Sequence, residues 1–211
     1  MLTKLTILGK SDATIAMMLD ILESLNLFPH ITIVNNLNLP IEHTFDNLKF
    51  KWDILTTIPE DLTGPVVVGA IHSNTKMKIV DVFGDNHNFV NLIHSTSSIS
   101  STTKLGKGVM INDNTSISAH TTIGDFVSLN RNASIGHHSV IENFVNINPG
   151  AIIAGHTTIG QGSKIGMGAM LLDGVSVGKN SIIGAGSVVT KDIPDNVIAY
   201  GSPCKIIRTN G

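Results

Sequence analysis

With 211 residues the chain can bury a sizeable core and has room for one large or two modest domains. Fourteen Lys and Arg against sixteen Asp and Glu leave no basic excess, which argues against nucleic acid or an anionic membrane as partner. The single cysteine, Cys204, excludes an intrachain disulfide and a multi-cysteine metal site, and fits a reducing compartment.

Taken in order, residues 5–8 read as a buried strand that stops at Gly9. From about residue 12 to 25, Ile15, Met18, Leu19, Leu22 and Leu25 recur at helical spacing after a capping-type Ser11. No signal peptide is expected, because the start has one early lysine and only a short apolar run. No stretch reaches the roughly eighteen apolar residues of a membrane span, so the expected location is the cytoplasm. A second strand falls at 31–34. After an Asn-rich stretch, Ile54 and Leu55 begin another element and Pro59 opens a turn or short helix. A third clear strand covers 66–71, a helix 73–83, and a strand 89–93. Strand alternating with helix predicts a small open α/β domain with a parallel sheet over residues 1–90. Ligands of such a sheet sit beyond the carboxyl ends of its strands, near residues 9–13, Asn35, Asn36 and 69–74.

From Ile93 the period changes. Steps of six land on seventeen aliphatic residues without interruption, through Ile111, Ile135, Ile153 and Ile165 to Val189. Four residues after each of the first sixteen stands Ser, Thr, Ala or Val, which predicts a second inward column. A period of six fits one short strand plus one corner, three of which close an eighteen-residue coil. Roughly five such coils stack, with strands about 4.8 Å apart. Gly106, Gly124, Gly136, Gly160 and Gly166, each directly after an aliphatic, read as residues of the tight corners. Charged residues make up only 14 % of the chain, as suits a solenoid with many buried or intersubunit faces. The solenoid spans 91–190, and 191–211 read as a cap over its open end.

This hexapeptide pattern resembles the left-handed parallel β-helix of bacterial acyltransferases; the left hand is implied by that resemblance and not by the period. A compact α/β domain running into such a solenoid is similar to the sugar acetyltransferases of the sialic acid O-acetyltransferase type, whose relatives acetylate UDP- or dTDP-linked amino sugars. The junction Val90-Asn91-Leu92-Ile93-His94, Gly69 after the third strand, and the closing Gly201-Ser202-Pro203-Cys204-Lys205 carry the likeness. It implies a Rossmann-like nucleotide-sugar domain, acetyl-coenzyme A as co-substrate, and a homotrimer with coenzyme in the clefts between neighbours. Substrate contacts are then expected from Ser11, Asp12, Ala13, Asn35, Asn36 and Gly69. Where the family has a Gly-rich, His-containing first turn, this chain has Gly9-Lys10-Ser11-Asp12-Ala13. Asn35 and Asn36 stand where some members have acidic residues.

Acetyl transfer needs a base to take a proton from the attacking amine or hydroxyl, and imidazole titrates near working pH. By the resemblance His137 is that base. A carboxylate usually follows it, but here the next residue is His138, so another group must orient the base. Gly155, one coil beyond His137, matches a glycine whose N–H faces the thioester carbonyl. Asn146, Met167 and Ala185 match coenzyme contacts. Two further readings stay open. One is a catalytically idle binding scaffold. The other is a trimeric metalloenzyme built on His120, His138 and His156, eighteen residues apart, as in gamma-type carbonic anhydrases. Gln161 stands where that family's third ligand would be, so no metal is expected.

Overall fold

The computed structural model describes residues 2–35, 49–57, 62, 64–84 and 86–211. Asn36 and Pro59 lie outside the described residues. Strand β1 (Lys4–Leu8), helix α1 (Asp12–Ser24), β2 (His30–Val34), β3 (Lys51–Leu55), β4 (Pro65–Val68), α2 (Ser73–Phe83) and β5 (Asn88–Phe89) form the first unit. Its sheet is parallel throughout, in the order β3-β2-β1-β4-β5. Alternation along the strands covers both faces. Leu5, Ile7, Ile31, Ile33 and Val67 pack under α1 through Ile15, Met18 and Leu22, whereas Leu8, Val34, Val66 and Val68 pack with Ile79 and Val80 of α2. Ser11 occupies the position before α1 in extended conformation without capping it; its hydroxyl accepts from Thr14 Oγ1 at 3.0 Å. The strand expected at 66–71 ends at Val68, and the one expected at 89–93 divides into β5 and the first solenoid strand.

That strand, β6 (Leu92–Ile93), opens a run of seventeen two-residue strands ending at β22 (Val188–Val189). Each of the first fourteen pairs in parallel with the strand eighteen residues on, for example Ile135 with Ile153 and Ile153 with Leu171. Three sheets form the walls of the prism. The six-residue register holds: Ile135, Ile153 and Ile165 are 0, 1 and 0 % exposed, and the second column, including Ala133, Ser139, Ala151 and Thr157, is equally buried. Replacing Ile153 with Ala should cost about 2–5 kcal/mol, because neither neighbouring coil can collapse onto the gap; urea unfolding of the variant checks this.

The corners correct one expectation. The left-handed backbone falls three residues after most of the aliphatics, among them at Asn114, His120, Phe126, Asn132, His138, Phe144 and His156, where φ runs from 53° to 60°. The glycines directly after the aliphatics have a different cause. A Cβ on Gly136 would lie 2.5 Å from the Ala154 carbonyl carbon and the Gly155 nitrogen of the next coil, so stacking distance excludes a side chain there.

A bulky residue at φ near +57° is strained, yet Phe126 and Phe144 adopt it. Their rings stack at 5.1 Å, and Phe89 meets Phe126 edge-on at 4.9 Å. Burial against the α2 side of the sheet offsets the strain and docks the two units together. On the α1 side Leu92 and Met110 extend the contact. Between them Lys76, 2 % exposed, donates from Nζ to Phe126 O at 2.8 Å and Ser128 Oγ at 3.0 Å. Burial without a carboxylate brings its pKa down from 10.5 to about 7. From pH 7 upward the unfolded chain therefore binds more protons than the folded one, so stability rises with pH. Between pH 7 and 9 the gain should be on the order of 2 kcal/mol. Lys76→Met should abolish the slope, which denaturant midpoints at the two pH values would read.

At the far end, β23 (Val197–Gly201) pairs in parallel with the strand Ile182–Ile183 and in antiparallel with β24 (Cys204–Thr209). Ile193, Val197 and Ala199 join the solenoid core.

Candidate active site

The corner Gly136-His137-His138-Ser139 is held rigidly. Ser139 points inward and its hydroxyl donates to Ala154 O at 3.2 Å, while its backbone neighbour His138 donates N–H to Ala119 O at 3.0 Å. His137 and His138 therefore project outward, both exposed. Their Nδ1 atoms are 3.1 Å apart, close enough for one hydrogen bond in which one ring donates and the other accepts. His138 also stacks in a column, 4.9 Å from His120 and 5.0 Å from His156 between ring centroids. Crowding by these rings, followed by the charge that His120, His156 and His137 would each carry, holds its pKa below the ordinary imidazole value. A neutral His138 can accept a proton at Nδ1. With His137 as the donor in this contact, its Nδ1–H engages His138 and its Nε2 lone pair stays free.

Gly155 lies one coil above, and its lack of a side chain is required. A Cβ there would fall 2.8 Å from His137 Cε1, 3.0 Å from His137 Nε2 and 2.9 Å from Asp173 Oδ1. Among the described residues no acceptor engages the Gly155 N–H. The imidazole of His137 thus lies directly over Gly155, whose amide donor is unengaged; proton removal and oxyanion stabilisation require two such groups.

His137, His138 and His156 are also the only group of potential metal ligands that lie close together among the described residues, their nearest nitrogens all within 4.8 Å. The His138 and His156 rings are 17° from parallel, so their lone pairs run side by side and do not converge. Gln161 lies at the next corner, its backbone N–H bonded to Glu142 Oε2.

Two of the expected substrate residues, Ser11 and Gly69, meet elsewhere. Gly9, Lys10, Ser11, Gly69, Ile71, His72 and Thr75 line a cavity of about 200 Å³ at the carboxyl ends of β1 and β4. Gly69 is needed because a Cβ would meet Gly9 O and Ile7 Cγ2 at 2.6 Å, where the two strand-end loops touch. Asp12 lies 3.2 Å from Lys10 Nζ as an ion pair, although its Oδ1 lacks hydrogen-bond geometry. Asn35 is buried, and its N–H donates to Leu55 O at 2.7 Å. Ala13 is exposed on α1 outside the cavity lining.

The expected coenzyme residues fall on two edges of the prism. Gly155 belongs with His137. Met167, 59 % exposed, and Ala185 share the corner that follows Ile165 and Ile183. Asn146 is buried at the junction of the two units, where its Nδ2 donates to Ile71 O at 3.0 Å. Within one chain Asn146, Met167 and Ala185 are not brought beside His137. Lys10 and His72 fall within the expected stretches 9–13 and 69–74, whereas sequence reasoning missed Asp173. The signal for Asp173 was present: His137, Gly155 and Asp173 follow one another at intervals of eighteen.

Comparison with known proteins places the fold. Residues 156–191 match the bacterial transferase hexapeptide model of six repeats. No curated protein matches the chain. Among solved structures, PerB from Caulobacter crescentus, in complex with CoA and GDP-perosamine, is 23 % identical, with 98 % of each chain covered and a TM-score of 0.81. The acetyltransferase domain of PglB from Neisseria gonorrhoeae, in complex with acetyl coenzyme A, is 23 % identical, covering 98 % of this chain and all of that one, with a TM-score of 0.85. WeeI from Acinetobacter baumannii is 22 % identical over 97 % of this chain and all of its own, with a TM-score of 0.82. The class defined is a left-handed parallel β-helix of hexapeptide repeats. The likeness to those proteins extends through the preceding α/β unit to nearly the whole chain. No helix among the described residues is long and apolar enough to cross a membrane.

Proposed function

We propose that the protein is an acetyl-coenzyme A-dependent acetyltransferase whose acceptor is a sugar linked to a nucleoside diphosphate, with His137 as general base. The observation that carries this reading is the exposed imidazole of His137 lying over Gly155, with its Nδ1 in hydrogen-bond contact with His138 at 3.1 Å. In this mechanism Nε2 takes the proton of the attacking group as that group adds to the thioester carbonyl. The Gly155 N–H meets the oxyanion, and the sulfur leaves with the proton from His137. Acetyl-coenzyme A supplies the activated acyl group.

The Rossmann-like first unit holds the nucleotide in the cavity lined by Lys10 and Ser11, where a lysine and a hydroxyl suit a diphosphate. Solved relatives of the same two-part fold hold CoA and GDP-perosamine, which supports this class of acceptor. A UDP- or dTDP-linked sugar is the sequence-based choice. The protein acts as a trimer. One wall of the prism carries Ser116, Ser134, Ile152 and Met170 outward, and the adjoining corner Leu172; Ile152, Met170 and Leu172 are 50, 41 and 50 % exposed, an uncharged face that a neighbour would cover. Such packing would bring the Met167 edge of one protomer toward the His137 edge of another.

Calorimetry with coenzyme A and with UDP-, dTDP- and GDP-linked amino sugars tests the reading. Ser11→Ala and Asn35→Ala should weaken nucleotide-sugar binding about three- to tenfold and leave coenzyme A binding unchanged, as expected for losing one hydrogen bond. Absence of binding by any of the three sugars to the wild type would contradict the assignment of the first unit.

A further inference from the structure

Neighbouring residues of an extended chain point to opposite faces, but His137 and His138 do not. The φ of 56° at His138 turns the corner, and backbone bonds between coils hold it: His138 donates N–H to Ala119 O at 3.0 Å, and His137 O accepts from the His156 N–H at 2.9 Å. Both rings therefore leave the prism on one side, where they are exposed. The His138 ring lies between those of His120 and His156, at 4.9 and 5.0 Å, and the His137 ring stands at 85° to it. This arrangement brings the two Nδ1 atoms to 3.1 Å. Two imidazole nitrogens bound at about 2.0–2.1 Å to one ion stand about 2.9 Å apart at a right angle and about 3.3 Å apart at a tetrahedral one. The observed spacing falls between these values. A tilt of the two exposed rings turns both Nδ1 atoms onto one ion, whereas His156, nearly parallel to His138, does not converge with them.

We propose that His137 and His138 form a two-nitrogen site for a borderline divalent transition metal, Cu²⁺ or Zn²⁺, whose occupation shuts off the catalytic base. The second part rests on His137 Nε2 being that base. An imidazole nitrogen coordinates only through a lone pair, so the ion requires His137 Nδ1 without its proton. As donor in the contact to His138, that atom carries one in the metal-free chain. On binding, His137 releases the Nδ1 proton to solvent and takes one at Nε2, so the charge of the ring is unchanged and no net proton is lost. An Nε2 that carries hydrogen has no lone pair left for the acceptor's proton. The ion thus acts through the tautomer of His137, and water fills its remaining positions. Nitrogen donors favour Cu²⁺ over Zn²⁺, whereas Mg²⁺ and Ca²⁺ take oxygen ligands.

The test titrates the full-length protein, first freed of metal by a chelator, with Cu²⁺, Zn²⁺ and Mg²⁺ in a calorimeter, and records the EPR spectrum of the Cu²⁺ form. One Cu²⁺ or Zn²⁺ per chain should bind, Cu²⁺ more tightly, with the hyperfine splitting of two nitrogen ligands; Mg²⁺ should give no binding heat. His138→Asn, which suits the left-handed backbone, should weaken Cu²⁺ and Zn²⁺ at least about tenfold. His120→Asn, outside the pair, should bind them nearly as the wild type does. These arms need no acceptor. In the transfer assay the metal-free wild type should be fully active, and saturating Zn²⁺ should lower turnover about 10²–10⁴-fold, toward that of His137→Ala, with recovery on adding chelator. Absence of saturable binding, or binding undiminished in His138→Asn, would overturn the site while leaving the His137 base standing. Two-nitrogen binding with turnover unchanged would overturn the tautomer switch and the base assignment together. Turnover that requires Zn²⁺ would overturn the proposal in favour of a metalloenzyme.

Discussion

His137→Ala should lower turnover by about 10²–10⁴-fold while coenzyme A binding stays close to that of the wild type. The side chain is exposed at a corner whose shape is set by inward-facing Ser139 and by backbone bonds between coils, so its removal leaves the fold intact. The loss is confined to the step that needs a proton acceptor, and single-turnover measurements place it there. His138→Ala should cost less, because it removes the acceptor that fixes the His137 tautomer but not the base itself. Acidification should reproduce the His138 effect. Its pKa lies below the ordinary value of 6.5, so it stays neutral at neutral pH and takes up a proton only in more acidic solution. Once protonated it can no longer accept from His137. Equal, severe losses in both alanine variants together with stoichiometric bound metal would instead favour the metalloenzyme built on the histidine cluster.

The second large effect is expected from one methyl group. Gly155→Ala should retain the fold, because the atoms in its way are side-chain ends: the imidazole of His137 and the carboxylate of Asp173, at 2.8–3.0 Å. Both would be pushed aside by a few tenths of an ångström or more, which moves the imidazole of His137 from its place. Misplacement on this scale is expected to cost about 10²-fold in turnover. Gly136→Ala is the contrasting control. Its Cβ would strike backbone at 2.5 Å, which cannot swing away, so that variant should lose stability by about 1–3 kcal/mol. Thermal unfolding beside steady-state kinetics separates the two cases.

The solenoid was legible in the sequence because one physical requirement, an inward aliphatic every six residues, repeats without exception from Ile93 to Val189. The reason for the corner glycines was misread, since glycine serves both left-handed backbone and close approach, and only the stacked coils distinguish Gly136 from Gly150. The docking of the first unit was hidden. Phe126 and Phe144 occupy a conformation that propensity assigns to Asn or Gly, and their partners Phe89 and Ile79 are far away in sequence. Nothing in the helical pattern of 73–83 marks Lys76 as buried, and tertiary packing alone buries it. At the site, the spacing of eighteen put His120, His138 and His156 in one column. The group that replaces the carboxylate, a neutral imidazole bonded through Nδ1, required side-chain positions. So did the meeting of His137 with Asp173, which depends on the direction in which each side chain leans across Gly155.

The most direct test of the account is transfer itself. Purified protein should be incubated with acetyl-coenzyme A labelled with carbon-13 in the acetyl group and with UDP-, dTDP- and GDP-linked amino sugars, and the products read by mass spectrometry and NMR. The account predicts one labelled acetyl group on the sugar nitrogen of at least one of the three, equimolar release of free thiol, and loss of both in His137→Ala. Coenzyme A binding without transfer to any nucleotide-linked sugar, or transfer undiminished in His137→Ala, would contradict it.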